Sequence, residues 1–84
     1  MKNIKTNKCE LALQQYSAQM FSATVKIGHV RYKFFSTQKE TAERIYGILL
    51  SNCLFNENSI DALFGIYRLK IEKKHNTNYL VTYA

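Results

Sequence analysis

Residues 20–35 read MFSATVKIGHVRYKFF, and the alternation of their side chains decides the fold that the sequence predicts. Gly28 and His29 separate two runs rich in β-branched and aromatic residues. Glycine in the first position of a two-residue loop favours a type II′ hairpin turn. A hairpin closed here pairs Ile27 with Val30 and continues outward one residue at a time, and directly paired residues share a face. The stretch therefore predicts an antiparallel hairpin with two chemically different faces.

One face of this hairpin is apolar and the other is basic. The apolar face consists of Ile27, Val30, Val25, Tyr32, Ala23 and Phe34. The basic face consists of Lys26, Arg31, Thr24, Lys33, Ser22 and Phe35. Like charges directly opposite each other destabilise a strand pair, and an anionic partner would relieve that repulsion. The hairpin thus indicates a polyanion as partner, on the condition that the rest of the chain covers the apolar face.

Composition narrows the class of protein. Eighty-four residues allow one modest core, and we expect a flexible basic start over residues 1–8 and a single domain over residues 9–84. Twelve Lys and Arg against six Asp and Glu give a net charge of +6, which commonly accompanies nucleic acid or an acidic protein partner. The longest strongly apolar run, 45–50, is far shorter than the roughly 20 residues that cross a bilayer, so no membrane partner is expected. Cys9 and Cys53 show no paired spacing, which is typical of a reducing cytoplasm.

After the first hairpin the sequence predicts a helix. Thr37 and Glu40 fit a capping box, and apolar residues at three- and four-residue spacing extend the helix to about Asn52. That apolar stripe consists of Ala42, Ile45, Tyr46, Leu49 and Cys53, widened by Ile48 and Leu50. Ser59 can then cap a short helical turn over 60–64, which Gly65 would end.

A second hairpin follows, with strands over 66–74 and 79–83. In the first of these strands, alternation points Arg68, Lys70 and Glu72 outward. A three-residue loop over 76–78 would bury Tyr79, Val81 and Tyr83, whereas a two- or four-residue loop would move these three residues to the basic face. The first alternative buries more apolar area. The sequence alone does not decide which face of the sheet the side chains of this last strand occupy.

These elements predict an α+β fold. It is a four-stranded antiparallel sheet of two β-hairpins with one main helix packed on one face, in the order β-β-α-β-β. Residues 9–19 are ambiguous, because Leu11 and Leu13 alternate as in a strand while 10–15 would also form a helical turn. A first strand could begin anywhere between Leu11 and Met20.

The open face of this sheet is the predicted nucleic-acid-binding surface. Its candidate binding residues are Lys26, Arg31, Lys33, Phe35, Arg68 and Lys70, with Lys73 and Lys74 on the rim. Lys and Arg neutralise phosphates, and an exposed phenylalanine offers a stacking platform to an unpaired base. RNA is favoured over DNA, because the helix is needed for the core and a sheet face suits single strands. The alternatives are a solvated polar face and a surface that docks on an acidic protein.

Other chemistry has little support in the sequence. His29 and His75 both fall in predicted turns, without an acid at a diagnostic spacing, and no Cys/His cluster has metal-ligand spacing. We therefore expect neither an enzyme nor a cofactor. A homo-oligomer joined through a strand edge at 79–83 is a further possibility that the pattern allows.

Two resemblances add to this reading. Residues 22–44, SATVKIGHVRYKFFSTQKETAER, resemble the last hairpin and final helix of a double-stranded-RNA-binding domain, in which a short basic Ser/Lys-Lys-x-Ala-Glu segment opens the helix; Lys39, Ala42 and Glu43 stand in similar places here. Gln38 departs from that pattern, and no Gly-rich run precedes the helix. In size, charge, lack of proline and A/T-rich coding, the chain resembles the small accessory proteins of T-even phages. That resemblance implies RNA binding and inhibition of a host toxin ribonuclease such as ToxN, in the host cytoplasm.

Overall fold

The computed structural model describes residues 2–5, 9–52 and 57–83, with side chains described over 10–52 and 58–83. It has two layers: a mixed β-sheet, and two helices that cover one face of that sheet. The strands are β1 (Lys2–Lys5), β2 (Cys9–Ser17), β3 (Met20–Ile27), β4 (Val30–Ser36), β5 (Leu69–His75) and β6 (Asn78–Tyr83). The helices are α1 (Lys39–Ser51) and α2 (Ile60–Ile66), and a 3₁₀ turn at Glu57–Ser59 precedes α2.

The predicted four-stranded antiparallel sheet is wrong. The described strands lie in the order β1-β2-β3-β4-β6-β5, so that five longer strands carry the short β1 at one edge. All neighbouring strands are antiparallel except β4 and β6, which are parallel. Strand β1 lies within the segment expected to be a flexible start. The ambiguous segment becomes β2 because β3 offers it a partner along almost its whole length.

The first hairpin has the predicted register. Ile27 pairs with Val30, Val25 with Tyr32 and Ala23 with Phe34 across β3 and β4. The helices cover this apolar side, where Ala23, Val25 and Phe34 are fully buried, while Val30 next to the turn stays 42% exposed. Gly28 has a φ of 64° at the turn, a conformation that glycine adopts without strain. The rest of the chain therefore covers the apolar face of the hairpin, which was the condition for interpreting its other face as a basic surface.

The second hairpin buries Tyr79 and Val81 as the three-residue loop would have done, but its turn is different. Its turn holds two residues, Asn76 and Thr77, but the register shifts between Lys73 and His75. The extra residue of this bulge restores the alternation that a two-residue turn alone would have reversed. Tyr79 and Val81 are buried as a result. Strand β6 lies inside the sheet, so the predicted strand edge at 79–83 is wrong and β5 forms that edge.

The core lies between the sheet and both helices. Helix α1 contributes the predicted stripe of Ala42, Ile45, Tyr46, Ile48 and Leu49, whereas Leu50 is exposed and Cys53 is outside the described residues. Helix α2 contributes Ile60 and Phe64. The Phe34 ring lies 5.2 Å from the ring of Phe64 and 5.2 Å from that of Tyr79, stacked on the latter at 16°. Phe34 therefore joins β4, β6 and α2.

The helix ends differ from the sequence pattern. Helix α1 begins at Lys39, and the Ser36 hydroxyl, not Thr37, accepts the Gln38 N–H at 3.1 Å. At the other end of α1, the Asn52 side-chain amide donates to the Ile48 carbonyl at 2.8 Å. Helix α2 continues through Gly65 to Ile66, and Arg68 takes the left-handed conformation at φ 62° instead.

Candidate nucleic-acid interface

The open face of the sheet, opposite the helices, carries an excess of positive charge. Strand alternation and register place four cations and two carboxylates there, and the ion pair with Glu72 brings Lys74 to the same face. This leaves three net positive charges over the described side chains. The cations are Lys26, Arg31, Lys33, Lys70 and Lys74, and the carboxylates are Glu10 and Glu72. The helices have the opposite balance, with Lys39 and Arg44 against Glu40, Glu43 and Asp61. Positive charge is thus concentrated on the open face, whereas the described side chains of the helices carry one net negative charge.

Strand β4 provides the centre of this face. Arg31, Lys33 and Phe35 alternate with buried residues along it, so successive side chains on the open face stand about 6.8 Å apart. Arg31 is exposed, while Lys33 and Phe35 are half-buried. Two cations therefore precede one aromatic ring along a single strand.

The opposed cations Lys26 and Arg31 have a carboxylate beside them within the chain. Lys26 lies directly opposite Arg31 on one side and directly opposite Glu10 of β2 on the other. Oppositely charged cross-strand neighbours are stabilising. The repulsion expected from the isolated hairpin is therefore offset internally, and it does not by itself require a polyanion.

An aromatic pair stands on the open face. The ring of Tyr16, on β2, lies 5.1 Å from that of Phe35 at an interplanar angle of 77°. The side chain of Tyr16 is 64% exposed. The sequence analysis did not identify Tyr16, because a register shift between Gln15 and Ser17 in β2 obscures the alternation there. A tyrosine at the end of an alternating segment was the only available signal.

The second hairpin is held against β4 beside these residues. The Lys33 N–H donates to the Thr77 carbonyl at 2.9 Å, and the Thr77 hydroxyl donates to the Arg31 carbonyl. Asn78 and Leu80 then pair with Lys33 and Phe35. These contacts fix the position of β5 and its lysines relative to β4.

Strand β5 supplies Lys70 and Lys74 to the open face. Lys70 is exposed and pairs with Thr82, on the far side of Phe35 from Arg31. The Lys74 ammonium lies 3.3 Å from the Glu72 carboxylate. An exposed ion pair of this kind contributes little to stability, but it neutralises part of the charge of Lys74.

Two of the sequence-predicted binding residues lie elsewhere. Arg68 is exposed in the turn between α2 and β5, and is not an outward residue of a strand as predicted. Lys73 alternates with Ile71 on the side that the helices cover, where it lines a cavity of about 320 Å³ with Asp61 and Tyr79. The open face thus brings together Lys26, Arg31, Lys33, Phe35, Lys70 and Lys74.

Groups for other chemistry are dispersed. His29 lies in the β3–β4 turn and His75 ends β5, and both are exposed. Across residues 2–5, 9–52 and 57–83, no three His, Cys, Asp or Glu side chains lie together as metal ligands would. In the same part of the chain, neither α1 nor α2 has the length and apolar character that a membrane crossing needs.

The described geometry therefore comprises a cationic open face, a ring pair of exposed Tyr16 and half-buried Phe35 on that face, and a covered apolar side. A comparison of the chain with protein-family models, curated proteins and solved structures finds no match in any of the three.

Proposed function

We propose that this chain is a non-enzymatic nucleic-acid-binding protein that binds RNA in preference to DNA through the open face of its sheet. The observation that carries the proposal is the concentration of positive charge on the open face. Five cations lie on the open face with the exposed ring of Tyr16 and the half-buried ring of Phe35, while three of the described carboxylates lie on the helices. A cationic surface attracts phosphates and releases their counterions.

The preference for RNA rests on which elements are available to a ligand. Helix α1 turns its apolar stripe to the sheet, and α2 holds Phe64 in the core. The cations of the open face are carried by strands. Side chains on a sheet face reach unpaired bases and sugar-phosphate backbone, as in several RNA-binding modules. The expectation of a ribonuclease partner rests on size and composition, and stays a prediction.

The salt dependence of binding tests this proposal. We would titrate a fluorescein-labelled single-stranded RNA with the protein at several salt concentrations and follow its anisotropy. Arg31→Gln and Lys33→Gln should each weaken binding and reduce the slope of log K against log salt by about 0.7, the value for one phosphate of a single strand. The same titration with DNA of equal length measures the preference for RNA.

Matched controls remove the same charge from the helix layer. Lys39→Gln and Arg44→Gln lower the net charge by one unit each, as the test variants do, but both side chains are exposed on α1. They should leave the slope unchanged. Equal effects in the two layers would show that net charge, and not the open face, governs binding.

The alternative is a protein that docks on an acidic partner with the same cations. Protein purified at low salt should carry excess absorbance at 260 nm that high salt removes. If the nuclease-treated protein instead captures one acidic protein and does not bind RNA, the proposal is wrong and the alternative holds.

A further inference from the structure

The ring pair on the open face bridges three strands. Tyr16 and Phe35 belong to β2 and β4, which flank β3, and strands two places apart are separated by about 9.5 Å. The two ring centroids are only 5.1 Å apart, so the side chains lean toward each other over β3. Ser22, which pairs with Phe35 on this face, is only 2% exposed although no helix covers it. The rings are therefore part of the folded structure and are already in place before any ligand binds.

The geometry of the pair limits how bases could stack on it. At an interplanar angle of 77° the rings are nearly perpendicular, so they cannot form one flat platform for two adjacent bases. Phe35 is half-buried, whereas Tyr16 is 64% exposed. Tyr16 is thus the more exposed of the two rings, and the one on which a single base would stack.

Cationic side chains flank this position. Lys33 precedes Phe35 by one step of about 6.8 Å along β4, and Arg31 precedes it by two. Lys70 lies beyond Phe35 on β5. A strand whose base stacks at the ring pair would therefore meet cations on both sides of that base.

We propose that the ligand is a single strand, and that the Tyr16–Phe35 pair holds one unpaired base of it while Lys33 and Arg31 bind the phosphates on one side. The inference rests on the proposed function and specifies its ligand. In a duplex the faces of each base are covered by its neighbours, so only an unstacked base can use the ring of Tyr16. A duplex would contact the cations alone.

The test compares two RNAs by fluorescence anisotropy. One is an unstructured uridine decamer and the other is a perfectly paired duplex of ten base pairs. Tyr16→Leu removes the ring but retains an apolar side chain beside Phe35. It should weaken binding of the decamer by about 5- to 150-fold, the general effect of losing one base–aromatic stack, and change duplex binding less than about twofold.

Two control variants separate the ring from its surroundings. Tyr16→Phe keeps the ring and should bind the decamer as the wild type does. Tyr83→Leu removes another exposed tyrosine ring, 48% exposed at the end of β6, and should have no effect. Circular dichroism shows whether each variant is folded.

A second readout uses the wild-type protein alone. A decamer with one central 2-aminopurine should lose fluorescence on binding, because stacking on an aromatic ring quenches this base. Suppose that Tyr16→Leu weakens the binding of neither RNA, or weakens the binding of both to the same degree, and that the 2-aminopurine is not quenched. The inference then fails while the proposed function stands. If neither RNA binds the wild type, the proposed function fails and the inference fails with it.

Discussion

The adjacent phenylalanines of β4 should differ sharply when each is replaced by alanine. Phe34 is fully buried, with the rings of Phe64 and Tyr79 each 5.2 Å away. Phe35 points to the opposite face, is half-buried and has one described ring partner, Tyr16. The two substitutions remove the same atoms from the same strand, one residue apart. Any difference in stability therefore measures the difference between the two faces.

The structure gives a magnitude for each loss. Phe34→Ala empties a fully enclosed site, and such changes cost about 3–5 kcal/mol in the free energy of unfolding. A domain of this length has a total of about 4–13 kcal/mol, so the variant loses a large part of its stability. Phe35→Ala loses partial burial and one edge-to-face contact, which contributes about 0.5–1.5 kcal/mol. We expect its total loss to stay below about 2 kcal/mol.

Urea unfolding followed by circular dichroism measures both losses, and RNA binding is measured on the same preparations. Phe35→Ala should unfold near the wild-type midpoint and bind RNA weakly. Phe34→Ala should unfold at much lower urea, and Phe34→Leu provides a milder change if the alanine variant does not fold. Equal losses of stability at the two positions would refute the assignment of β4 to a buried and an open face.

Three further predictions concern local contacts. Thr77→Val removes the hydroxyl that donates to the Arg31 carbonyl and should lower the free energy of unfolding by about 0.5–1.5 kcal/mol; Thr77→Ser should not, and equal losses in urea would contradict the hydrogen bond. Ser36→Ala removes the hydroxyl that accepts the Gln38 N–H before α1 and should cost about 0.5–1.5 kcal/mol, whereas Thr37→Ala at the sequence-predicted cap should cost less; urea midpoints in the reverse order would count against this hydrogen bond. Arg68→Gly should raise stability by about 0.5–1 kcal/mol, because its φ of 62° strains a residue with a side chain, and Arg68→Ala, measured in the same way, should give no such gain.

The first hairpin and the stripe of α1 could be predicted because their signals are local. The alternation on either side of Gly28 determines which residues pair, and the register of β3 with β4 follows directly. The stripe of α1 repeats at helical spacing and all its described central members are buried. In both elements the residues that decide the structure lie within about fifteen positions of one another.

The sheet order could not be predicted because it depends on distant contacts. Strand β2 has only Leu11 and Leu13 as alternating apolar residues, and its pairing with β3 makes it a strand. The place of β6 between β4 and β5 brings Tyr79 onto Phe34, 45 positions earlier in the chain. No local pattern specifies such a partner.

Part of the candidate site could likewise be predicted from local signals, and part could not. Lys26, Arg31, Lys33 and Phe35 follow from the hairpin register alone. Tyr16 depends on a register shift in β2, and Arg68 on a helix that continues two residues past the predicted turn. Both departures are changes of backbone geometry. Neither composition nor the alternation of residue types indicates where such a change occurs.

The parallel pairing of β4 with β6 has a consequence for the order of folding. Strands β2, β3 and β4 are joined by tight turns and can form early, whereas Lys33 pairs with Asn78 only after a loop of about 45 residues closes. We therefore expect the β5–β6 hairpin to dock late. Arg31 and Phe35 lie on one side of the β4–β6 pairing, and Lys70 lies on the other. A ligand that contacts both sides stabilises the docked form by mass action, so that ligand binding and completion of the sheet become coupled.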